Sequence, residues 1–132
     1  MAIIPRRHQT KKGWRTIGGK SYYFRSSWEA NYARVLEAWK QQKALADWEF
    51  EPRVFWFEKI KRGVRSYLPD FKITWNDGKV TWVEIKGYLD PKSKTKLNRM
   101  RIYYPEVIIT VVGKKEYEKI KGIYQQTLSD WE

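Results

Sequence analysis

The sequence contains no cysteine and only one histidine, His8, among its 132 residues. The lack of cysteine excludes disulfides, zinc–thiolate sites and cysteine nucleophiles. A single histidine, which lies in a basic N-terminal stretch and which we interpret as part of a tail, excludes a histidine-based triad and a histidine-rich metal site. Any catalysis must therefore depend on carboxylates, lysine and a metal ion.

Long apolar segments are also missing from the sequence. No apolar run approaches the length of a membrane span, and the apolar part of residues 1–7 is too short for a signal peptide. We therefore predict a soluble, cytoplasmic protein. A hydrophobic content of 42% and a length of 132 residues are typical of one globular domain with a core of its own.

Acidic residues are absent before Glu29, whereas lysine and arginine are frequent there and throughout the chain. The totals are 27 Lys and Arg against 15 Asp and Glu, a net charge of +12. Such a charge attracts nucleic acid phosphates. The alternative is ordinary surface charge that is only solvated by water, and a pI near 9.9 argues against it. The basic residues that we predict to contact DNA are Arg6, Arg7, Lys11, Lys12, Arg25, Lys92, Lys94, Lys96 and Arg99.

The pattern of apolar and turn-forming residues predicts an α+β domain with a mixed sheet flanked by helices. We expect a basic arm at 1–12, one domain at 13–124 and a tail at 125–132. The predicted elements are a hairpin at 14–24, a helix at 27–42 capped by Ser26, an extended segment at 44–57, strands at 65–75 and 79–86, a helix from Asp90-Pro91 to about Tyr104, a strand at 107–112 buried on both faces, and a helix at 114–124.

The register of the two strands around Asn76-Asp77-Gly78 decides which side chains share a face. If these three residues form the turn, Asp70 lies opposite Glu84, and Lys86 lies on the same face two residues further on. The other face then carries the mainly apolar set Phe71, Ile73, Trp75, Thr81 and Val83. A two-residue turn would mix the faces, so the sequence favours the register that pairs the two carboxylates.

Two facing carboxylates form a hard oxygen site suited to Mg²⁺ or Mn²⁺. Such an ion lowers the pKa of a bound water and neutralises charge on a phosphoryl transition state. Lys86 would orient that water or hold the phosphate. Each of these residues alone could equally belong to an ordinary strand face or turn, so the prediction depends on the complete set.

Glu29 is the candidate for a third acid, because it lies at the edge of the apolar stripe of the first helix. It can therefore face the sheet and still reach polar space. The alternative is a purely structural role, since Ser26 and Glu29 have the spacing of a capping box.

The motifs Pro69-Asp70 and Glu84-Ile85-Lys86, preceded by Glu29 on a helix, resemble the signature of the PD-(D/E)XK nuclease superfamily. Within it, the chain is similar to phage endonuclease I-type Holliday junction resolvases. That likeness depends on 24–26, 48–51, 67–71 and 83–87, and it covers most of residues 22–120.

The resemblance implies a restriction-endonuclease-like core of order αβββαβ and metal-dependent hydrolysis that leaves 5′-phosphates. It also implies a homodimer that places two sites across a four-way DNA junction. Asp70 and Glu84 would be metal ligands, Lys86 the catalytic lysine and Glu29 an outer or bridging acid. One further acid is implied after the first helix, for which we favour Glu49 over Glu51, although ordinary surface charge is favoured for both.

Two other functions stay open from the sequence. One is a sequence-directed or mismatch-directed nuclease with the same core, although a chain of 132 residues leaves little room for a recognition domain. The other is a non-catalytic DNA-binding module on a nuclease scaffold, against which the complete Asp, Glu and Lys set argues.

Overall fold

The computed structural model describes residues 11–132, so the predicted DNA contacts Arg6 and Arg7, and His8, lie outside the described residues. The elements in chain order are β1 Gly13–Ile17, β2 Lys20–Phe24, α1 Ser27–Gln41, β3 Asp47–Phe50, β4 Phe55–Trp56, β5 Ser66–Tyr67, β6 Phe71–Thr74, β7 Val80–Ile85, α2 Pro91–Tyr103, β8 Ile109–Val112 and α3 Lys114–Tyr124. The predicted α+β class with a mixed sheet is confirmed.

The predicted N-terminal hairpin is formed by β1 and β2, joined at Gly18 and Gly19. Both glycines have positive φ, 61° and 81°, which favours residues without a Cβ. A Cβ at Gly18 would lie only 2.7 Å from the Glu37 carboxyl carbon of α1. That carboxylate is held in place because it accepts hydrogen bonds from Trp48 Nε1 at 2.9 Å and from Gln41 Nε2 at 2.6 Å. The tight turn therefore packs directly over α1.

The central sheet has the strand order β3-β6-β7-β8, antiparallel except for the parallel pair β7 and β8. Between β6 and β7, Phe71 lies opposite Val83 and Thr74 opposite Val80. This is the register predicted from a three-residue turn. Continuing it by one residue at each end brings Asp70 opposite Glu84.

Both faces of the sheet are covered. Phe71, Ile73 and Val83 are buried on one face, in a core shared with the hairpin and α1. On the other face Trp82 packs with Phe55 of β4. The predicted apolar face is therefore confirmed. The opposite face, which carries Asp70, is partly covered by the β4–β5 pair and α2.

The predicted strand 65–75 is wrong as one continuous element. It divides into β5, which pairs with β4, and β6, which pairs with β3 and β7. Pro69 lies at the break, where its missing N–H cannot support a strand ladder. The break places Asp70 at the entrance to β6, beneath the β4–β5 pair.

The prediction that residues 107–112 are buried on both faces is wrong for part of the segment. In the edge strand β8, Thr110 is exposed, and Ile108 just before it is 57% exposed. Val112 is buried in the main core, and Ile109 packs on the Trp82 side. Burial on both faces is therefore limited to part of the segment.

The C-terminal segment 125–132, expected as a tail, packs on the domain. Trp131 stacks on Tyr117 of α3 with ring centroids 6.0 Å apart. Glu132 forms ion pairs with Arg34 at 2.9 Å and with Arg15 at 2.6 Å. Within residues 11–132, no helix has both the length and the apolar character needed to cross a membrane.

Candidate active site

A cavity of about 280 Å³ opens where the first helix, β6 and β7 meet α2. All four predicted catalytic residues contribute to its wall, namely Glu29, Asp70, Glu84 and Lys86. Residues from Arg25 to Lys96 in the chain are thus brought to one place. The wall also contains Arg25, Glu51, Leu68, Ile85 and Lys96.

Asp70 lies at the bottom of this cavity and is only 7% exposed. Its Oδ2 accepts a hydrogen bond of 2.7 Å from the backbone N–H of Ile85, which fixes the carboxyl group against β7. Burial raises the pKa of Asp70 well above its ordinary value, and repulsion from Glu84 and Glu29 raises it further. A carboxyl group in this position would be ionised more readily beside a cation.

Glu84 occupies the adjacent position across the strand pair. Its Oε1 accepts a hydrogen bond of 2.9 Å from the Tyr67 hydroxyl. Burial raises the pKa of Glu84, whereas the Tyr67 hydrogen bond and the charges of Lys86 and Lys96 oppose the rise. Burial and the proximity of the Glu84 charge together raise the pKa of the Tyr67 hydroxyl, so Tyr67 remains a donor.

Glu29 combines capping contacts with a position in the cavity wall, so the two alternatives left open by the sequence are structurally compatible. Its backbone N–H donates to the Ser26 side chain at 3.1 Å, as in an N-cap, and its Oε1 accepts from the Arg25 backbone N–H at 2.9 Å. The residue is 8% exposed and lines the cavity, and burial raises its pKa. The capping contacts therefore hold the carboxylate at the site.

Of the two candidates for the further acid, the structure places Glu51 in the cavity wall and Glu49, which the sequence analysis favours, outside it. Glu49 lies opposite Lys72 in the β3–β6 pair, with an ion-pair distance of 3.7 Å. Glu51 lies two residues after Glu49, just beyond the end of β3, and its backbone N–H donates to the Asp70 carbonyl at 2.7 Å. Glu51, Asp70 and Glu84 thus follow one row across three strands.

Glu51 is further distinguished by its backbone and by its partner. Its φ of 49° is in the left-handed region, which is uncommon for a residue with a side chain. The Arg25 guanidinium donates to Glu51 Oε2 from Nη1 at 2.6 Å and from Nη2 at 2.5 Å. Burial raises the pKa of Glu51 and the charge of Arg25 opposes it.

The predicted DNA-contacting residues have several different environments. Lys96 lines the cavity, Arg25 is paired with Glu51, and Lys11, Lys12, Lys92 and Lys94 are exposed. Arg99 donates to the backbone carbonyl of Val64 and thereby ties α2 to the loop before β5. Arg99, predicted from the sequence to contact DNA, thus has a contact within the protein that holds α2 to this loop.

Among residues 11–132, no group of three or more acidic or histidine side chains lies close enough to form a complete metal cage. The donor chemistry nevertheless fits a hard divalent cation. Mg²⁺ usually keeps several waters and binds through one or two carboxylates, and Asp70 and Glu84 supply two in a partly buried setting. Their mutual repulsion, together with that of Glu29, is a feature that a cation would relieve.

Sequence reasoning missed Tyr67 as a site residue. Its role depends on the β4–β5 pair, which places the ring over β7 and which the sequence reading did not separate from the neighbouring strands. The available signal was its position three residues before Asp70 in a segment otherwise rich in charge.

The fold and this cavity define an α+β protein with an acidic cleft flanked by lysine. The family whose model matches residues 9–122 is described as a protein of unknown function, DUF1064, and the chain belongs to that family. No curated protein and no solved structure matches the chain significantly.

Proposed function

We propose that the protein is a metal-dependent endonuclease that hydrolyses phosphodiester bonds in branched DNA, with four-way junctions as the first candidate substrate. The observation that carries this proposal is the convergence of Asp70, Glu84, Glu29 and Lys86 on one cavity. The order α1, β3, β6, β7, α2, β8 is also that of the nuclease superfamily that the sequence resembles, with the β4–β5 pair inserted.

In the proposed reaction, Asp70 and Glu84 would hold the cation, and Glu29, which lines the same cavity, would be the third acid nearby. When bound, Mg²⁺ or Mn²⁺ would supply an activated water and charge neutralisation at the phosphate. The Ile85 N–H and the Tyr67 hydroxyl each fix one of the two ligand carboxylates by a hydrogen bond. Such outer partners orient metal ligands and are needed for their full effect.

Lys86 and Lys96 are the two lysines of this site, and the third cation in its wall, Arg25, is paired with Glu51. Both lysines line the cavity, and both lower the pKa of Glu84 against the effect of burial. A substrate phosphate that enters the cavity would meet these two ammonium groups beside the carboxylates. We assign to Lys86 the orientation of the water or the contact with the phosphate, as its position on the strand face of Glu84 allows.

The net charge of +12 supports a polyanionic partner. As a further part of the proposal, the protein acts as a homodimer in the cytoplasm of a bacterial or phage-infected cell. Binding to DNA through several lysines and arginines should weaken steeply with salt concentration, because counterions are released from the phosphates.

The test is cleavage of a labelled four-way junction and a linear duplex of matched sequence, in Mg²⁺ or in EDTA. The proposal predicts paired nicks near the branch that need the metal and disappear in Asp70→Asn. Glu49→Gln is the matched control, since that carboxylate lies on the same sheet face but outside the cavity. Equal cutting of the duplex would discard the junction, and binding without cutting under any divalent ion would favour a non-catalytic module.

A further inference from the structure

A second cavity, of about 530 Å³, lies beside the first. This volume is within the range of about 300–1,000 Å³ that is typical of ligand pockets. Its wall includes two aromatic side chains, Trp28 and Tyr88, and two ammonium groups, Lys86 and Lys114. The acidic site does not use Trp28, Tyr88 or Lys114, so this second cavity has a lining chemistry of its own.

The two cavities adjoin each other. Glu29, Ile85 and Lys86 line both of them, so these residues form the boundary between the acidic site and the aromatic one. A nucleic acid strand whose phosphate lies at Asp70 and Glu84 would therefore place a neighbouring nucleotide at the second cavity. The inference below rests on the proposed function in this respect.

The aromatic wall is partly rigid and partly open. Trp28 is stacked on Tyr117, with ring centroids 4.1 Å apart and an interplanar angle of 9°. A Cβ added at Gly87 would lie 3.5 Å from Trp28 Cζ3, so the ring edge rests on the backbone that follows Lys86. Tyr88, the next residue, is 75% exposed. One ring is thus fixed by its neighbours, and the other is free to cover a ligand.

These features suit a nucleobase better than a phosphate alone. Aromatic rings bind bases by stacking without strong sequence preference, and nearby lysines hold the adjoining phosphates. A base that is paired within a duplex is covered on both faces by its neighbours in the stack. An unpaired base can leave the stack and enter a side cavity without the free-energy cost of breaking a base pair.

We propose that the second cavity binds an unpaired nucleobase of the strand that is cut, with Trp28 and Tyr88 as the stacking surface and Lys114 as a phosphate contact. Branched DNA with unpaired nucleotides at the branch point, including a four-way junction of that kind, would then be bound more tightly than a fully paired four-way junction.

The test compares a fully paired four-way junction with a second junction that carries two unpaired nucleotides at the branch. One of these two nucleotides is 2-aminopurine. Binding is measured in EDTA, so that no strand is cut. Stacking quenches 2-aminopurine fluorescence, and we expect equal quenching by the native protein and by Tyr88→Phe but weaker quenching by Tyr88→Ala, which retains only Trp28. Base–aromatic stacking of about 1–3 kcal/mol corresponds to a loss of about 5- to 140-fold in affinity for the unpaired junction.

Tyr23→Ala is the matched control, because Tyr23 is an exposed tyrosine of β2 outside both cavities. Equal quenching and equal affinity in Tyr88→Ala and in the native protein would overturn the inference, as would equal affinity of the native protein for the two junctions. Cleavage in Mg²⁺ is measured separately. Cutting without Tyr88-dependent quenching would leave the nuclease and discard the pocket, whereas Tyr88-dependent quenching without cutting under any divalent ion would leave the pocket and discard the nuclease.

Discussion

Removal of one hydroxyl group, in Tyr67→Phe, should separate the role of the acidic cavity from the stability of the fold. The Tyr67 side chain is almost completely buried, and its hydroxyl donates to Glu84 Oε1 at 2.9 Å. Phenylalanine retains the ring and its packing with the β4–β5 pair. The variant therefore deletes one hydrogen bond to one proposed metal ligand.

Two independent arguments give the size of the effect. A hydrogen bond to a charged group contributes about 1.5–3 kcal/mol. Loss of a partner that orients a metal ligand typically costs about 10–100-fold in activity or metal affinity, which is about 1.4–2.8 kcal/mol at 1.4 kcal/mol per factor of ten. We therefore expect kcat/KM for DNA cleavage to fall by about 10–100-fold in Tyr67→Phe.

The pH dependence follows from the direction of the Tyr67 contribution. Burial raises the pKa of Glu84, and the hydrogen bond from Tyr67 lowers it. Without the hydroxyl, the pKa of Glu84 rises, so a larger fraction of the carboxyl group is protonated and unable to hold a cation. The acidic limb of the pH–rate profile should move to higher pH, and the deficit of the variant should be smallest at alkaline pH.

The assay is kcat/KM for cleavage of a branched DNA in Mg²⁺ between about pH 5 and 9, since metal ligands must be deprotonated to bind, with thermal unfolding as the measure of folding. Tyr104→Phe is the control, because it removes a hydroxyl that donates at 2.7 Å to the Trp56 carbonyl outside the acidic cavity. The reasoning is refuted if the two variants have equal rates, or if the acidic limb of Tyr67→Phe moves to lower pH.

Three further predictions concern single positions. Burial raises the pKa of Asp70 in the folded chain. Without metal, the free energy of unfolding therefore decreases as the pH rises from the ordinary pKa of an aspartate through the raised pKa of Asp70. Thermal unfolding in EDTA at pH 7 should show that Asp70→Asn is more stable than the native protein. Glu51→Gln removes the charge that pairs with Arg25 in the cavity wall, and it should lower the cleavage rate by about tenfold, the lower end for residues that support a metal site from outside. Glu49→Gln should have little effect, and equal rates of the two variants would remove Glu51 from the site. Gly19→Ala should lower the free energy of unfolding by about 1–2 kcal/mol, because alanine is strained in the left-handed conformation. Gly18→Ala should lower it by about 0.5–1.5 kcal/mol more, because the added Cβ displaces the hydrogen-bonded Glu37 carboxylate of α1. Equal unfolding temperatures of the two variants would contradict this.

The sequence was sufficient to predict the Asp70–Glu84 pair because their register is set locally. Asn76 to Gly78 form a turn of three residues, and the alternation of apolar residues on both sides allows only one pairing that keeps Phe71 and Val83 in the core. The same local logic gave the cap of α1 at Ser26 and the cap of α2 at Asp90. Short-range features of this kind depend on residues that are neighbours in the chain.

The choice between Glu49 and Glu51 could not be made in this way. It depends on the register between β3 and β6, and these strands are separated in the chain by the β4–β5 pair, so no turn length fixes how they align. Alternation puts Glu49 and Glu51 on the same face, and only the pairing of Phe50 with Phe71 places Glu51 beside Asp70. That β8 lies at the edge of the sheet could not be predicted either, because the apolar residues of a strand do not show how many strands flank it.

The arrangement of the acidic residues is itself an argument about function. Glu29, Glu51, Asp70 and Glu84 surround one small cavity, burial raises the pKa of each, and the left-handed backbone at Glu51 adds strain of about 1–3 kcal/mol. None of these features stabilises the fold, and an amide at Asp70 could still accept the Ile85 hydrogen bond without the charge. The cavity has the properties of a site whose repulsion a bound cation relieves, and this is why we place the proposed metal at Asp70 and Glu84 rather than at any other acidic residues of the described chain.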